Sequence, residues 1–442
     1  MPHEIVLGRT ESDTKKFGSK GAGFIGKQYI TMERNVSLAN QILLDVTRPH
    51  VLLIAGKRGS GKSYTMGVIA ESVAALPQEI RDNISMLILD TMGIFWTMKY
   101  PNYKDEQILN EWNLEPKGFE NVKVYVPKGA FSKMKEDGIP VDESFTIRAS
   151  ELSGTEWCTL LNISIINPVG ILVTKTVERF RKAGESFDMD DAILMIRRDE
   201  EFDMNTRLAA VNYFEIVKSW GIFSKLGTQI KDFVKRGQIS VIDISQFQHE
   251  MTGFSIRAIV IGLLSKKLLE ERIKARKIEE LSDIEKGWTF FTESYEKKLS
   301  NQVPLVWLMI DEAHEFLPSE GTTAATDALI QVIREGRQPG VSLVLATQQP
   351  GKIHSDVMTQ CDLVLSHRLT SKLDINALNN VMQSYLPFAI SKYLDELPRS
   401  RGVVLVLDDK QERIYPMQVR PRISWHGGGE PSAIREGKKI II

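Results

Sequence analysis

Gly56-Lys57-Arg58-Gly59-Ser60-Gly61-Lys62-Ser63 is the stretch that most narrows what this chain can fold into. Glycines at 56, 59 and 61 let the backbone curl until its N–H groups converge, an arrangement that suits phosphate oxygens. Lys62 can reach the β- and γ-phosphates of a nucleotide, and the Ser63 hydroxyl can ligate Mg²⁺. Composition alone produces such a pattern in about one chain of this length in fifty, so context decides. Before it, Val51-Leu52-Leu53-Ile54-Ala55 reads as a buried strand. After it, Tyr64 to Leu76 carries Met66, Ile69, Ala70 and Val73 at helical spacing and stops at Pro77. Strand, glycine loop and helix predict a P-loop nucleotide site, with Gly56 through Ser63 and the adjoining Tyr64 on the nucleotide.

Further strands are expected at Met86–Asp90, Ile239–Ile244, Leu305–Ile310, Val341–Thr347, Leu363–Ser366 and Val403–Leu407. Continuous apolar strands alternating with helices predict an α/β fold with a mostly parallel sheet covered on both faces. Residues 1–48 read as a short N-terminal segment of turns and short strands. An ATPase core is expected at 49–95 and 238–425. Between them, 96–237 mixes Trp, Asn and Pro with amphipathic stretches such as Thr174–Lys182 and Thr206–Trp220, which predicts an inserted, largely helical subdomain. Ile256–Arg276 reads as a long helix. Gly427-Gly428-Gly429 reads as a hinge into a C-terminal tail, 426–442.

Asp311 and Glu312 end the strand that begins at Leu305. Asp311 suits the outer shell of Mg²⁺, and Glu312 can orient and deprotonate an attacking water. Gln348, in Thr347-Gln348-Gln349 at the next strand end, can sense the γ-phosphate or the water; alternatively it is a loop amide satisfying backbone groups. Arg337, and less directly Arg334, lies one helix beyond Glu312. Arg337 either caps that helix or reaches a neighbouring subunit's ATP as an arginine finger. Asp311-Glu312-Ala313-His314 is similar to a signature of two-domain helicases, whose Ser-Ala-Thr and paired-arginine motifs are missing here. His314 is therefore read as a packed or capping histidine. A GTPase would need Asn-Lys-x-Asp; Ser371-Lys372-Leu373-Asp374 lacks the amide.

With those residues in view, the chain resembles the HerA/FtsK group of hexameric DNA-translocating ATPases, in its archaeal HerA-type branch. The similarity runs over Pro49–Ser63, Leu87–Phe95, Ile239–Ser245, Leu305–Phe316 and Glu335–Arg368. Its most specific part is Glu335-Gly336-Arg337-x-x-Gly340-Val341, followed by Thr347-Gln348-Gln349-Pro350 and Asp356–Asp362. The resemblance implies a RecA-like core, a hexameric ring with ATP and Mg²⁺ at subunit interfaces, Arg337 acting in trans, Gln348 as sensor, and loops that pull duplex DNA. The chain departs from the family in two places. HerA proteins carry a small β-barrel before the core, on which a nuclease partner docks, and the residues preceding the phosphate loop here are too few for it. The family's Asp-Pro-x-Gly-Glu-aromatic is replaced by Asp90-Thr91-Met92-Gly93-Ile94-Phe95, without the glutamate.

Composition bounds the partners. Lys and Arg number 56 against 57 Asp and Glu, so any contact with DNA must come from a local basic surface, such as one built by assembly. Two cysteines, Cys158 and Cys361, carry no metal-ligand spacing, which fits a reducing interior. Met1-Pro2-His3-Glu4-Ile5 has neither basic nor apolar signal regions, and no apolar run is long enough to span a bilayer. A cytoplasmic protein is expected. The second function class open to such a chain is a motor that moves protein, or builds a complex, without gripping DNA.

Overall fold

The computed structural model describes residues 4–32, 35–248, 253–288, 303–382, 393–394, 397–398 and 400–429. The expected α/β architecture is present, as one 13-stranded sheet with helices packed on it. In chain order its strands are β1 (Ile5–Leu7), β2 (Ala22–Met32), β3 (Asn35–Asp45), β4 (Val51–Ala55), β5 (Ile84–Asp90), β6 (Val122–Pro127) and β7 (Glu143–Phe145). A separate two-stranded ribbon pairs β8 (Ile147–Arg148) with β9 (Phe223–Ser224). The main sheet resumes with β10 (Ile239–Asp243), β11 (Leu305–Ile310), β12 (Val341–Thr347), β13 (Leu363–Ser366), β14 (Val403–Asp408) and β15 (Arg413–Val419).

In space the order is β1-β3-β2-β15-β14-β13-β4-β12-β11-β5-β10-β6-β7. Every neighbouring pair from β13 to β7 is parallel. From β13 through β14, β15 and β2 to β3 the pairs are antiparallel. The parallel half therefore brings all its strand C-termini to one edge. Thr347 and Ser366 both pair with Ala55, so three strand ends meet where the glycine loop starts.

Burial on both faces explains why these strands are apolar without alternation. Leu52 and Ile54 of β4 enter one core, Leu53 and Ala55 the other, and all four are 0% exposed. The helix α1 (Lys62–Ala74) is buried nearly all round and has no polar face, as a central helix should. On the opposite side of the sheet pack the helices α2 (Gly154–Leu160), α3 (Pro168–Ala183), α4 (Met189–Arg197) and α5 (Met204–Ser219). Their starts are fixed by side chains on orphan N–H groups: capping boxes at Ser153/Glu156 and Asp188/Asp191, and Asn167 before Pro168. Trp157 is their keystone, with ring centroids 5.3 Å from Phe214 and 4.9 Å from Phe223. The helix expected at Ile256–Arg276 is longer, α6 (Gly253–Trp288).

Three expected segments are joined to the core as follows. In residues 1–48, β1, β2 and β3 extend the core sheet, β2 pairing with β15 at Gln28–Met417. Alternating residues such as Ile42 and Leu44 have a core face to fill only because β15 offers an open edge. The insertion at 96–237, expected to be largely helical, also carries strands. β6 and β7 inside it continue the core sheet beside β10, their Val122, Val124 and Val126 buried beneath it. The helical part is α2 to α5, closed at its neck by the β8–β9 ribbon. The tail expected at 426–442 begins docked: Gly427 N–H bonds Thr97 Oγ1 at 3.1 Å. Residues 430–442 lie outside the described residues. Among the described residues no helix is long and apolar enough to cross a membrane.

Candidate functional site

The loop after β4 curls as its glycines require. Gly59 (φ +74°) and Gly61 (φ +108°) occupy left-handed backbone that side chains rarely adopt. Gly56 has a different constraint: a Cβ there would lie 2.5 Å from Ser60 Oγ and 2.6 Å from His367 Cβ. Gly56 N–H bonds Thr347 O at 3.2 Å and Lys57 N–H bonds Arg368 O at 3.4 Å, tying the loop to β12 and the end of β13. Lys57, Arg58 and Gly59 are exposed at its tip. Ser60 Oγ is buried and has no hydrogen-bond partner among the described residues.

Lys62 opens α1 and is 5% exposed. Burial lowers its pKa below the ordinary lysine value, against Glu312 and Asp311, which act to raise it. Among the described residues its hydrogen bonding is one long contact, Nζ to Lys57 O at 3.4 Å. Ser63 Oγ donates to Asp311 Oδ2 at 2.5 Å. Burial pushes the Asp311 carboxyl up and Glu312 adds to this, against the Ser63 hydrogen bond. A divalent cation at the Ser63–Asp311 pair would supply the positive charge this buried acid lacks. The oxygen-only donor set suits Mg²⁺. These observations fit a nucleotide with its metal.

Glu312 stands two residues past β11 with φ +51°, left-handed and unusual for a non-glycine residue. Gln348 Nε2 donates to Glu312 Oε1. The other oxygen, Oε2, is buried, has no hydrogen bond among the described residues, and lies 3.6 Å from His314 Nδ1. That nitrogen is 3.2 Å from Thr347 Oγ1. Burial, then Lys62, lowers the His314 pKa, so the ring is neutral. Thr347 Oγ1 also accepts from Gln349 N–H, so it joins Gln349, after β12, to His314. Glu312 thus has one oxygen held by Gln348 and one without a hydrogen bond among the described residues.

The structure brings together Gly56 through Ser63, Asp311, Glu312 and Gln348 at the ends of β4, β11 and β12. It separates two other expected residues from them. The Tyr64 side chain turns away: its hydroxyl accepts Arg422 N–H at 2.6 Å and its ring packs edge-on to His426. Only its backbone is left to face a nucleotide, because the third residue of a buried helix points toward whatever covers that helix. Arg337, just after α7 (Thr326–Glu335), lies at the opposite edge of the sheet. It contacts Asp362, whose Oδ1 accepts from the first residue of β4, Val51. The length of β4 puts it roughly 15 Å from the loop of its own chain. Arg334 pairs with Asp356 at 2.6 Å.

Three functional positions have no local signature. His367 fills the hollow under the loop and is held neutral, its pKa pushed down to about 3 by burial and then by Lys62. Its Nε2 is 3.0 Å from Thr65 Oγ1. The signal that could have found it is position alone, at the C-terminal end of a strand flanking β4. His314, read above as a packed residue, instead joins the β11 and β12 ends through Thr347.

The third is Glu71 in α1, 0% exposed, which seats the helix against the strap after β15. It accepts from Arg420 Nη1 (2.9 Å), Arg422 Nε (2.9 Å), Ile423 N (3.1 Å), Ser424 N (3.0 Å) and Ser424 Oγ (2.5 Å). Burial raises its pKa, but Arg422 and Arg420 prevail and hold it below its ordinary 4.5. Glu71→Gln leaves two buried arginines without a counter-charge and is expected to cost about 3–5 kcal/mol, seen as a urea transition at lower concentration. Because the folded pKa is depressed, this stabilisation is present above pH 4.5 and is lost as pH falls below it.

A family model described as "Helicase HerA, central domain" matches residues 41–302, and one described as "Zonular occludens toxin (Zot)" matches 243–385. The probable DNA double-strand break repair helicase HerA of Methanocaldococcus jannaschii is 24% identical over 335 residues, 68% of this chain and 58% of that protein. The HerA of Sulfurisphaera tokodaii is 23% identical over 330 residues, 72% of this chain and 55% of that one. This chain thus spans a little over half the length of these relatives. Among solved structures, VirB4 of Thermoanaerobacter pseudethanolicus superposes with a TM-score of 0.55 at 11% identity, over 90% of this chain and 97% of that one. That likeness establishes the shared fold. With more than half of its residues matched, and the phosphate loop and acid pair seated as described, the chain belongs to the HerA central-domain family of HerA/FtsK-type P-loop ATPases.

Proposed function

We propose that this chain hydrolyses ATP and uses the cycle to move duplex DNA, as a hexameric ring in the cytoplasm with nucleotide at each subunit interface. The observation that carries the hydrolytic part is the divided Glu312 carboxylate, one oxygen held by Gln348 and the other free, beside Lys62 and the Ser63–Asp311 pair. The glycine-loop N–H groups and Lys62 bind the β- and γ-phosphates. Ser63 and Asp311 would hold Mg²⁺, which when bound neutralises phosphate charge. Glu312 Oε2 takes the proton of the attacking water while Gln348 fixes the carboxylate's orientation. Water oxygen bonds to the γ-phosphorus as the bond to the β-phosphate oxygen breaks, releasing ADP and phosphate. Arg337, too far from its own loop, serves the neighbouring subunit.

DNA as the moved polymer is supported by the names of the relatives and by the motif set. A net charge of −1 requires that the basic surface be local. The test is the steady-state ATPase rate with and without linear duplex DNA across a salt series. The expected result is stimulation of about tenfold at low salt that fades as salt rises, because phosphate contacts displace counterions. Unchanged rates at every salt would remove DNA and leave the protein-moving motor.

A further inference from the structure

Arg337 stands on a turn that is fixed while its side chain is not. Gly340 has φ +90°, and a Cβ there would meet Leu305 Cδ2 at 2.4 Å. Val341 N–H bonds Gly336 O at 2.8 Å, and the fully buried Arg272 donates from Nε to Pro339 O at 2.8 Å. The Arg337 side chain is 61% exposed, with its contact to Asp362 Oδ2 at 3.3 Å.

That oxygen is crowded with basic side chains. His50 Nδ1 is 2.8 Å from it and Lys410 Nζ 3.1 Å, and Asp362 itself is 7% exposed. Although burial opposes it, hydrogen bonds from His50 and Lys410 hold the Asp362 carboxyl down at about 2. Behind His50 stands Asp45 at 3.5 Å, itself paired with Arg9. Lys410 is anchored on its far side to Gly8 O at 3.0 Å. Of the three basic side chains on this oxygen, Arg337 has the longest contact, the greatest exposure and, among the described residues, no second side-chain anchor. It is the member that can leave, since the carboxylate stays compensated without it and an exposed pair of this kind is weak.

We propose that Asp362 is a positioning residue that parks Arg337 in its own subunit between turnovers, with Lys410 setting how loosely it is held. This rests on the reading that Arg337 acts on a neighbour's nucleotide. Removing Lys410's charge strengthens the hold of Asp362 on Arg337 and slows its delivery. Removing the charge of Asp362 abolishes the hold. In neither case does the ATP site of the same subunit change.

The experiment uses the full chain without DNA, measuring kcat and KM for ATP across a salt series and expressing each variant as a ratio to the unsubstituted protein. Lys410→Gln is expected to lower kcat about three- to tenfold at low salt with KM unchanged, and to recover as ionic strength passes about 0.2 M, where screening shortens to under ~8 Å. Lys410→Arg restores the charge and is expected to restore kcat. Asp362→Asn still accepts Val51 N–H and is expected to keep kcat at or above the unsubstituted value at all salts. A Lys410→Gln loss that salt leaves in place, or no loss, overturns the latch. So does an Asp362→Asn enzyme slowed tenfold, and that arm stands if Lys410→Gln fails to fold. Arg337→Ala in the same assay separates the two readings. If it leaves kcat unchanged, the trans role fails and the latch with it. If it lowers kcat while Lys410→Gln does not, the latch alone fails.

Discussion

Lys62→Ala is expected to weaken ATP binding at least a hundredfold, about 2.7 kcal/mol, with the fold intact. Lys62 is 5% exposed and makes one long bond among the described residues, so its ammonium is held ready for a ligand rather than used by the fold. Its removal also changes the sign of the site. Asp311 and Glu312 would face a triphosphate with no cation between, and the Asp311 pKa, already raised by burial and by Glu312, would rise further. Titration calorimetry with a non-hydrolysable ATP analogue measures the loss, and circular dichroism checks the fold. Affinity within about threefold of the unsubstituted protein would sink the phosphate-loop assignment.

The parts of the site legible in the sequence are those whose chemistry is set by neighbours along the chain. Gly59 and Gly61 need left-handed backbone wherever the loop occurs, and Lys62 and Ser63 follow at fixed offsets, so the loop announces itself. The parallel core was equally readable, because β4, β5, β11 and β12 are apolar on both faces. What escaped depends on contacts between residues far apart in sequence. His367 reaches the loop across the β4–β13 pairing, and His314 reaches Thr347 across β11–β12. Glu71 finds Arg420 and Arg422 some 350 positions later. β6 was missed because its Lys123 interrupts the apolar run, and on a strand near the sheet's end one half-buried residue is tolerated. Whether residues 1–48 stand apart is not legible along the chain, because β1, β2 and β3 join the core sheet through the pairing of β2 with β15, nearly 400 positions later.

Glu312→Gln is expected to bind ATP as well as the unsubstituted protein, or a few-fold better, and to hydrolyse it about 10²- to 10⁴-fold more slowly. The amide is nearly isosteric, so its carbonyl oxygen can still accept from Gln348 Nε2 while its NH₂ takes the place of Oε2. There it faces His314 Nδ1, 3.6 Å from the present oxygen. The left-handed turn at Glu312, tied down by Glu312 N–H to Asp311 Oδ1 at 2.8 Å, is unaffected by the exchange. Loss of one negative charge beside Lys62 favours the triphosphate, which is why binding does not weaken. What disappears is the single free lone-pair oxygen that can accept a proton from water. Nucleotide affinity by calorimetry and single-turnover release of phosphate, measured on the same preparation, separate the two effects. Turnover within about threefold of the unsubstituted enzyme would place the general base elsewhere, since a carboxamide cannot take that proton at neutral pH.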